Sequence, residues 1–219
     1  MLDRVGHVSV GAANRIGQSR REALSLARAD GFESCLYCDF DRWLHWAANF
    51  PEELAKLPDE ISRDQPRAWF VCLGRTPRAF ATHPRVQRET ETHSNQVISL
   101  LTGRTLDATA GACWIARPAA DVILSESIET SNATDLEWPA LIAVRDRSRL
   151  GGRRVEGLEF ETATFHQRDI RAAGGLEAWL ARHYDRKDVR EARIRLMTES
   201  VRAALRVFDG AAMNALSCD

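Results

Sequence analysis

The amino-acid sequence predicts a mixed α/β fold, with a central mixed β-sheet covered by helices and a long amphipathic helix near the C-terminus. Three observations support this prediction. Several short apolar runs, such as residues 68–73, are rich in the residue types that favour buried strands. Residues 187–208 carry apolar side chains every three or four positions, as a surface helix does. The 219 residues are 44% hydrophobic and 28% charged, which is typical of a globular protein with its own core.

This length fits one large domain, and we predict a single α/β domain over residues 1–219. An alternative division has a small helical, cysteine-containing N-terminal subdomain, residues 1–62, and a sheet-based domain, residues 63–219. The polar segment 58–66, which begins and ends with a proline, is the candidate linker between the two.

The N-terminal part of the chain is predicted to contain one strand and three helices. Ser19 and Glu22 have the spacing of a capping box, and Gly31 is a helix stop. The expected elements are a strand at residues 5–10, a helix at 19–30, a helix beginning at Asp39 or Asp41, and a helix at 51–58.

The middle of the chain is predicted to alternate strands with a long loop and one helix. Gly74 ends the buried run, and Ser94 and Gly103 have the positions of a helix cap and a helix stop. The expected elements are a strand at residues 68–73, a proline-interrupted loop at 75–95, a helix at 94–101 and a strand at 121–125, and the pattern at 108–116 is ambiguous.

Residues 138–166 are predicted to form a β-hairpin. Two β-type runs, 138–144 and 158–165, flank a loop in which Gly151 and Gly152 would supply the positive φ angles of a reversal. Two helices are expected to follow, at residues 176–183 and 187–208.

The candidate sites for phosphate are the loop of this hairpin and the segment 75–95, which is rich in arginine and is here called the basic segment. The chain holds 30 basic residues, and only Lys56 and Lys187 of them are lysines. Guanidinium groups suit phosphate because they offer paired donors in one plane. The candidate contacts are Arg145, Arg147, Arg149, Arg153 and Arg154 in the loop, and Arg75, Arg78, Arg85 and Arg88 in the basic segment. The alternative is that these arginines are solvated, or face the acidic segment 121–137.

Cys35 and Cys38 have the CxxC spacing of a zinc knuckle or of a redox pair. A structural zinc site needs four ligands, and Cys72 and His45 are the first candidates to complete the set, with His83, His93 and Cys113 as further candidates. The alternative is that the two cysteines are ordinary packed thiols, because a free cysteine behaves as a small apolar residue.

Cys113 is the candidate nucleophile, in the run Ala-Gly-Ala-Cys-Trp, which is similar to the small-residue-Cys-Trp run of papain-like hydrolases. That resemblance implies a thiol at a helix N-terminus, with a histidine as its base, and His166 is the candidate base. The alternative places Cys113 inside a strand, as a core residue.

Together these observations favour a nucleic-acid-binding subunit of a larger assembly, with phosphates on arginine-rich loops and zinc as the one expected cofactor. RNA is favoured over duplex DNA, because no recognition helix of the usual kind stands out. The alternatives are a cysteine-dependent hydrolase or transferase that uses Cys113 and His166, and a structural protein-interaction domain. Protein partners are expected in each case.

The net charge of −1 gives the whole chain no attraction to nucleic acid or membrane. No apolar run approaches the roughly 20 residues that span a bilayer, and the first residues lack the profile of a secretion signal. We therefore expect a cytoplasmic protein without membrane contact. Phosphate-cradling and dinucleotide-binding glycine motifs are absent from the sequence.

Overall fold

The structure, a computed structural model, describes residues 15–216, and the side chains of residues 15–213. Four strands form one sheet: β1 Ser34–Cys38, β2 Phe70–Arg75, β3 Ala112–Ala116 and β4 Leu150–Val155. Within the described range the helices are α1 Ile16–Ala29, α2 Phe40–Asn49, α3 Pro51–Asp64, α4 Pro77–Ala81, α5 Arg85–Thr102, α6 Arg117–Glu126, α7 Thr134–Arg145, α8 Thr162–Phe165, α9 Gln167–Ala172, α10 Leu176–Tyr184 and α11 Lys187–Leu216. The predicted fold class, a mixed sheet covered by helices with a long C-terminal helix, is confirmed.

The sheet has the strand order β1-β3-β2-β4. β3 lies between β1 and β2 and runs antiparallel to both, and β4 runs parallel to β2 at the edge. All six residues of β2 are buried, as expected for a central strand with helices on both faces. β1, which belongs to the described part of the proposed 1–62 subdomain, therefore shares one sheet with the rest of the chain.

Two hydrophobic clusters lie on the two faces of this sheet. Phe70 and Cys72 point into one cluster, where Ile98 of α5, Ile123 of α6 and Leu136 of α7 pack against them. The alternate residues of β2 point into the other cluster, with α2 and α3, and its members include Trp46, Leu57, Ile61, Val71 and Leu73. This alternation produces a helix–sheet–helix sandwich.

Several predicted elements are confirmed. The helices expected at 19–30, 176–183 and 187–208 are α1, α10 and α11, although α1 begins three residues earlier than its capping-box pattern suggests. Gly31 and Gly103 take φ angles of 80° and 69° after α1 and α5, so they end these helices in the left-handed region. The strand predicted at 5–10 lies outside the described residues.

The predicted hairpin is wrong. Residues 138–144 lie in α7, which is buried on nearly every side, so its sequence lacks the polar stripe of a surface helix. The supposed loop contains β4 itself, and residues 158–165 form a turn followed by α8. Gly151 and Gly152 are not among the glycines with positive φ. Gly151 instead allows close approach, because a Cβ there would lie 1.8 Å from Oε1 of Gln65.

Three other predictions fail because prolines begin helices here or lie within them. The expected loop at 75–95 is largely α4 and α5, with Pro77 in the first turn of α4 and Pro84 as the N-cap of α5. The expected strand at 121–125 belongs to α6, where Pro118 again lies in the first turn. The expected linker at 58–66 is mostly the second half of α3, which continues through Pro58.

Candidate functional site

The C-terminal ends of three strands lie along one edge of the sheet, here called the carboxyl edge. Because β1 and β2 are both antiparallel to β3, and β4 is parallel to β2, these three strands point the same way. They end at Cys38, Arg75 and Val155. In open α/β sheets, ligands bind in crevices outside the carboxyl ends of the strands. The carboxyl edge is therefore the first place to look for a site.

Asp39 follows β1 directly and forms a bidentate ion pair with Arg20 of α1. Nη2 of Arg20 donates to the two carboxylate oxygens of Asp39 at 3.1 and 3.0 Å. The hydroxyl of Tyr37 donates to Oδ1 of Asp39 at 2.7 Å. The Arg20 side chain is 5% exposed, so the pair is shielded on the arginine side. Asp39 is the N-cap residue of α2, but its side chain makes no capping bond.

Arg20 also holds Asp135, in the first turn of α7. Nη1 of Arg20 contacts Asp135 and donates to Oγ1 of Thr134 at 2.9 Å. Burial raises the pKa of Asp135 above its ordinary value, although Arg20 acts in the opposite direction. A carboxyl group with a raised pKa in a polar cleft is suited to accepting or releasing a proton.

A second ion-pair cluster lies beside the first, at the end of β2. Arg75 donates from Nε and Nη2 to Asp107 at 2.8 and 2.7 Å, and from Nη1 to Glu91 at 2.6 Å. Burial alone would raise the pKa of Asp107, but Arg75 lowers it overall. The Arg75 side chain is fully buried, and these two carboxylates neutralise its charge. Arg75 therefore does not present a cation to solvent, where the sequence analysis expected a phosphate contact.

Between the two clusters lies a cavity of about 60 Å³, here called the edge cleft. Side chains from α1, α2, α5 and α7 line it, and α11 covers it with Arg193, Met197 and Ser200. Asp39 and Arg193 keep 31% and 29% of their side chains exposed, so they lie nearer its opening than Arg20 does. The charged and amide side chains of the cleft are those of Arg20, Asp39, Arg42, Glu91, Asn132, Asp135 and Arg193.

Arg42 of α2 is the unusual member of the edge cleft. Its Nη1 is buried without a hydrogen-bond partner among the described residues. Burial lowers the pKa of Arg42, but the nearby charges of Glu161, Glu91 and Asp39 raise it overall without a direct ion pair. Nε of Arg20 and Oδ1 of Asn132 are also buried without partners. Buried polar groups in proteins are nearly always hydrogen-bonded, and a buried donor without a partner costs free energy. Two cationic donors and one acceptor are thus left available in one cleft.

Gly111, just before β3, sets the shape of this cleft. Its φ angle is 67°, and a Cβ there would lie 2.5 Å from Oδ2 of Asp39 and 3.4 Å from Nε of Arg42. Its carbonyl accepts a hydrogen bond from the amide of Asp39 at 3.0 Å. Glycine is therefore required both by the left-handed backbone and by the close approach of the carboxylate.

A larger cavity opens on the other side of the Arg75 cluster. This α5 groove has a volume of about 660 Å³, within the range of ligand sites, and lies between α5, the start of α4, the segment 103–107 and the end of β4. Phe80, Leu100 and Leu106 form its apolar part, and Arg104 and Arg154 lie on its rim.

The predicted phosphate-binding arginines divide into a paired and an unpaired group. Most of them form ion pairs with carboxylates: Arg145 with Glu126, Arg149 with Asp146, Arg153 with Glu60 and Asp64, Arg78 with Glu156 and Glu159, Arg85 with Glu89, and the buried Arg75 with Glu91 and Asp107. Arg88, Arg147 and Arg154 form no ion pair with any described residue. Six of the nine are thus paired within the protein, although only Arg145 pairs with a residue of the acidic segment 121–137.

The predicted zinc ligands lie in different environments. Cys35 packs into one core cluster and Cys38 into the other, because residues three apart on β1 point to opposite faces of the sheet. Cys72 is buried in β2, and His45 contacts Glu159 and Thr164 at 3.1 Å each. Within residues 15–213, no group of three or more His, Cys, Asp or Glu side chains is arranged to hold a metal. The zinc site stays a prediction without a supporting cluster.

Cys113 and His166 also differ in their surroundings. Cys113 lies in β3, buried opposite Cys72, and burial raises the pKa of its thiol well above the ordinary value. His166 is exposed between α8 and α9, where it hydrogen-bonds Asp169 and stacks on Trp179. A reactive cysteine needs a lowered thiol pKa and access to solvent. The geometry therefore favours the alternative stated for Cys113, a core residue in a strand.

The residues of the edge cleft were not among those predicted from the sequence. Only Asp39 carried a signal, as a carboxylate immediately after a buried strand, and it was interpreted as a helix cap. Arg20, Arg42 and Asp135 lie on three separate helices, and Arg20 and Asp135 are 115 positions apart. Local sequence patterns contain no information about such a pairing.

Comparison of the chain with protein-family models, with curated proteins and with solved structures finds no match in any of the three. The site must therefore be interpreted from its own geometry. Of the helices between residues 15 and 216, none combines the length and the apolarity that crossing a membrane requires.

Proposed function

We propose that the protein binds a small metabolite in the edge cleft, and that this metabolite carries both a phosphate group and free hydroxyl groups. The observation that supports the proposal best is Arg42, a partly buried arginine whose Nη1 has no hydrogen-bond partner in the described part of the chain. A buried donor without a partner costs free energy, and a hydrogen bond to a bound anion would recover it.

The phosphate part of the proposal follows from the donors. Nη1 of Arg42 and Nε of Arg20 both lack partners, and Arg193 at the opening adds a third guanidinium, which already pairs with Glu91 at 3.5 Å. Arginine binds phosphate oxygens through charge-assisted hydrogen bonds, which are about twice as strong as neutral ones. A volume of about 60 Å³ suits one anionic group better than a whole metabolite. The phosphate would occupy the cleft, and the rest of the ligand would extend through its opening.

The hydroxyl part follows from the acceptors. Asp39 lies towards the opening, Oδ1 of Asn132 lacks a partner, and Asp135 lies deeper beside Arg20. Carboxylate and amide oxygens accept hydrogen bonds from sugar hydroxyls, as acidic residues do for ribose in dinucleotide-binding folds. Asp135, with its raised pKa, is the candidate to exchange a proton with a ligand hydroxyl.

Ligand-induced thermal stabilisation tests the proposal. Ribose 5-phosphate is the probe because it carries both groups, and ribose and inorganic phosphate are its separate halves. For a dissociation constant of about 1 mM, a ligand at about 10 mM adds about 1.4 kcal/mol to the free energy of unfolding. That gain raises the Tm of a protein of this size by about 4 °C. Each half alone should raise the Tm less than the intact probe.

The matched variants are Arg42→Gln and Arg85→Gln. Arg42→Gln should remove most of the shift, whereas Arg85→Gln changes an exposed arginine that pairs with Glu89 and should leave the shift intact. The proposal fails if ribose 5-phosphate produces no shift up to about 100 times that assumed dissociation constant. It also fails if both variants respond as the wild type does.

A further inference from the structure

The α5 groove has two exposed arginines on its rim, and a third lies beside them; no carboxylate of the described residues pairs with any of the three. Arg104 and Arg154 line the groove, and Nε of Arg104 donates to the backbone carbonyl of Arg147 at 3.2 Å, so Arg147 lies next to Arg104. None of the three forms an ion pair with another described residue, in contrast to Arg145, Arg149 and Arg153 nearby. Unpaired guanidiniums at the rim of a cavity produce a local positive potential in a chain whose net charge is −1.

The wall of the groove between these arginines and β2 is apolar. Leu100 of α5 is 82% exposed, more than any other large hydrophobic residue in the described part of the chain. Phe80 and Pro77 continue the wall, and Leu106 closes its floor. Arg75 lies 4.6 Å above one face of the Phe80 ring and so holds that ring in place. An exposed apolar wall beside unpaired cations is suited to a ligand with flat apolar parts and regularly spaced anions.

We propose that the α5 groove binds a segment of single-stranded RNA, with its phosphates on Arg104, Arg147 and Arg154 and a base against Leu100 and Phe80. A basic groove combined with apolar stacking surfaces is the usual arrangement for single-stranded nucleic acid. The volume of about 660 Å³ accommodates a short segment of one strand. Exposed polar side chains at Gln96 and Thr105 are available for the 2′-hydroxyl groups that distinguish RNA from DNA.

This proposal keeps two of the arginines expected from the sequence, Arg147 and Arg154, and replaces the others. Arg104, which the sequence analysis did not select, takes a central position. The edge cleft has no part in the proposal, because Arg75, Asp107 and Glu91 separate it from the groove with their charges already paired.

Fluorescence anisotropy of a labelled oligouridylate, measured with the full chain over a salt series, tests the proposal. As the salt concentration rises, the logarithm of the binding constant should fall linearly with log[salt]. The slope should have a magnitude of about 0.7 for each phosphate contacted. Arg154→Gln and Arg104→Gln should each reduce that slope by about 0.7 and weaken binding at low salt. Arg186→Gln is the matched control, because Arg186 is exposed and pairs with Asp188 away from the groove. Leu100→Ser should weaken binding without changing the slope.

Four results would overturn the proposal. The first is no binding at the lowest salt, and the second is an equal loss in the Arg186→Gln control, which would indicate general attraction to positive charge. The third is an equal affinity for the deoxyoligonucleotide of the same sequence, which would remove the role of the 2′-hydroxyl. The fourth is displacement of the RNA by polyglutamate at equal charge concentration, which would identify the groove as a site for acidic peptides. All variants change exposed side chains, and their Tm values confirm folding.

Discussion

At the scale of single residues, the buried arginines differ in whether a carboxylate accepts hydrogen bonds from their guanidinium groups. Arg75 has every guanidinium nitrogen bonded, to Asp107, Glu91 and Thr109. Nη1 of Arg42, by contrast, has no hydrogen-bond partner within the described residues. Both side chains place a cation at the carboxyl edge, so the difference lies in what they contribute to stability and what they leave available for a ligand.

Arg75→Met should therefore destabilise the protein strongly. The change leaves Asp107 and Glu91 as buried carboxylates without their cation, which costs about 3–5 kcal/mol in free energy of unfolding. Arg85→Met removes only an exposed pair with Glu89, worth at most about 0.5 kcal/mol. Denaturation in urea measures both values. If the two variants lose similar stability, the Arg75 cluster is not the internal support described here.

Arg42→Met should have a much smaller effect in the absence of ligand. Burial of Arg42 is opposed by the charges of Glu161, Glu91 and Asp39, which raise its pKa overall, so the free energy of unfolding should change by less than about 1 kcal/mol. The same variant should lose the stabilisation by ribose 5-phosphate. A variant that loses as much stability as Arg75→Met without any ligand would indicate that Arg42 supports the fold and is not reserved for binding.

His83 predicts how stability depends on pH. It is buried against Phe160, and Nε2 donates to the carbonyl of Leu158 at 3.1 Å. Burial, with a contribution from Arg75 and Arg42, lowers its pKa from 6.5 to about 3. The unfolded chain binds a proton near pH 6.5 and the folded protein does not, so stability falls as pH drops from 6.5 towards 3.

The measurement compares urea denaturation of the wild type and His83→Gln between pH 6.5 and 4.5. Near pH 4.5, each fall of one pH unit should lower the free energy of unfolding of the wild type by about 1.4 kcal/mol more than that of the variant. The reason is that the variant lacks the one group that binds a proton only in the unfolded chain. Equal slopes for the two proteins would show that His83 is protonated in the folded state.

At the scale of elements, β4 and the turn after it depend on close approach to the α2–α3 layer. A Cβ on Gly157 would lie 1.8 Å from Cδ1 of Trp46, a fully buried ring. Glu53 of α3 fixes the same turn, because its carboxylate accepts the amides of Glu156 and Gly157 at 2.8 and 2.9 Å. The same carboxylate accepts the indole N–H of Trp46 at 2.9 Å.

Gly157→Ala should therefore cost about 3 kcal/mol, because neither the ring nor the turn has room to move. Gly210→Ala is the control substitution, since nothing lies within 4 Å of a Cβ at that exposed position in α11. It should stabilise the helix by about 0.5–1 kcal/mol through the better helix propensity of alanine. Thermal denaturation of the two variants measures both changes in stability. A Gly157→Ala variant as stable as the wild type would contradict the packing described for this turn.

The elements also show what the sequence can predict. One face of α11 is exposed, so its apolar residues form a stripe on the other face, which a sequence pattern can detect. The helix stops at Gly31 and Gly103 depend only on the local backbone, so they are also predictable. α7 is buried all round, so its apolar run resembles that of a buried strand. Gly151 leaves room for the side chain of Gln65, and no local pattern indicates a neighbour 86 positions away.

At the scale of the whole molecule, the sheet brings charges from distant parts of the chain to one edge. α1, α2 and α7 each provide one residue of the Arg20, Arg42 and Asp135 set, and α11 covers the cleft between them. None of these helices is distinctive by itself, so the site could not be predicted before the topology was known. We propose that this shared edge is where the protein binds its ligand.

Hydrogen–deuterium exchange with and without ribose 5-phosphate tests that claim most directly. Slower exchange is expected in the segments that line the edge cleft, residues 39–42, 109–111, 132–135 and 193–200, with the α5 groove at residues 99–106 unchanged. The edge cleft is contradicted as the binding site if the protected amides lie in the groove, or if no segment is protected at a ligand concentration that raises the Tm.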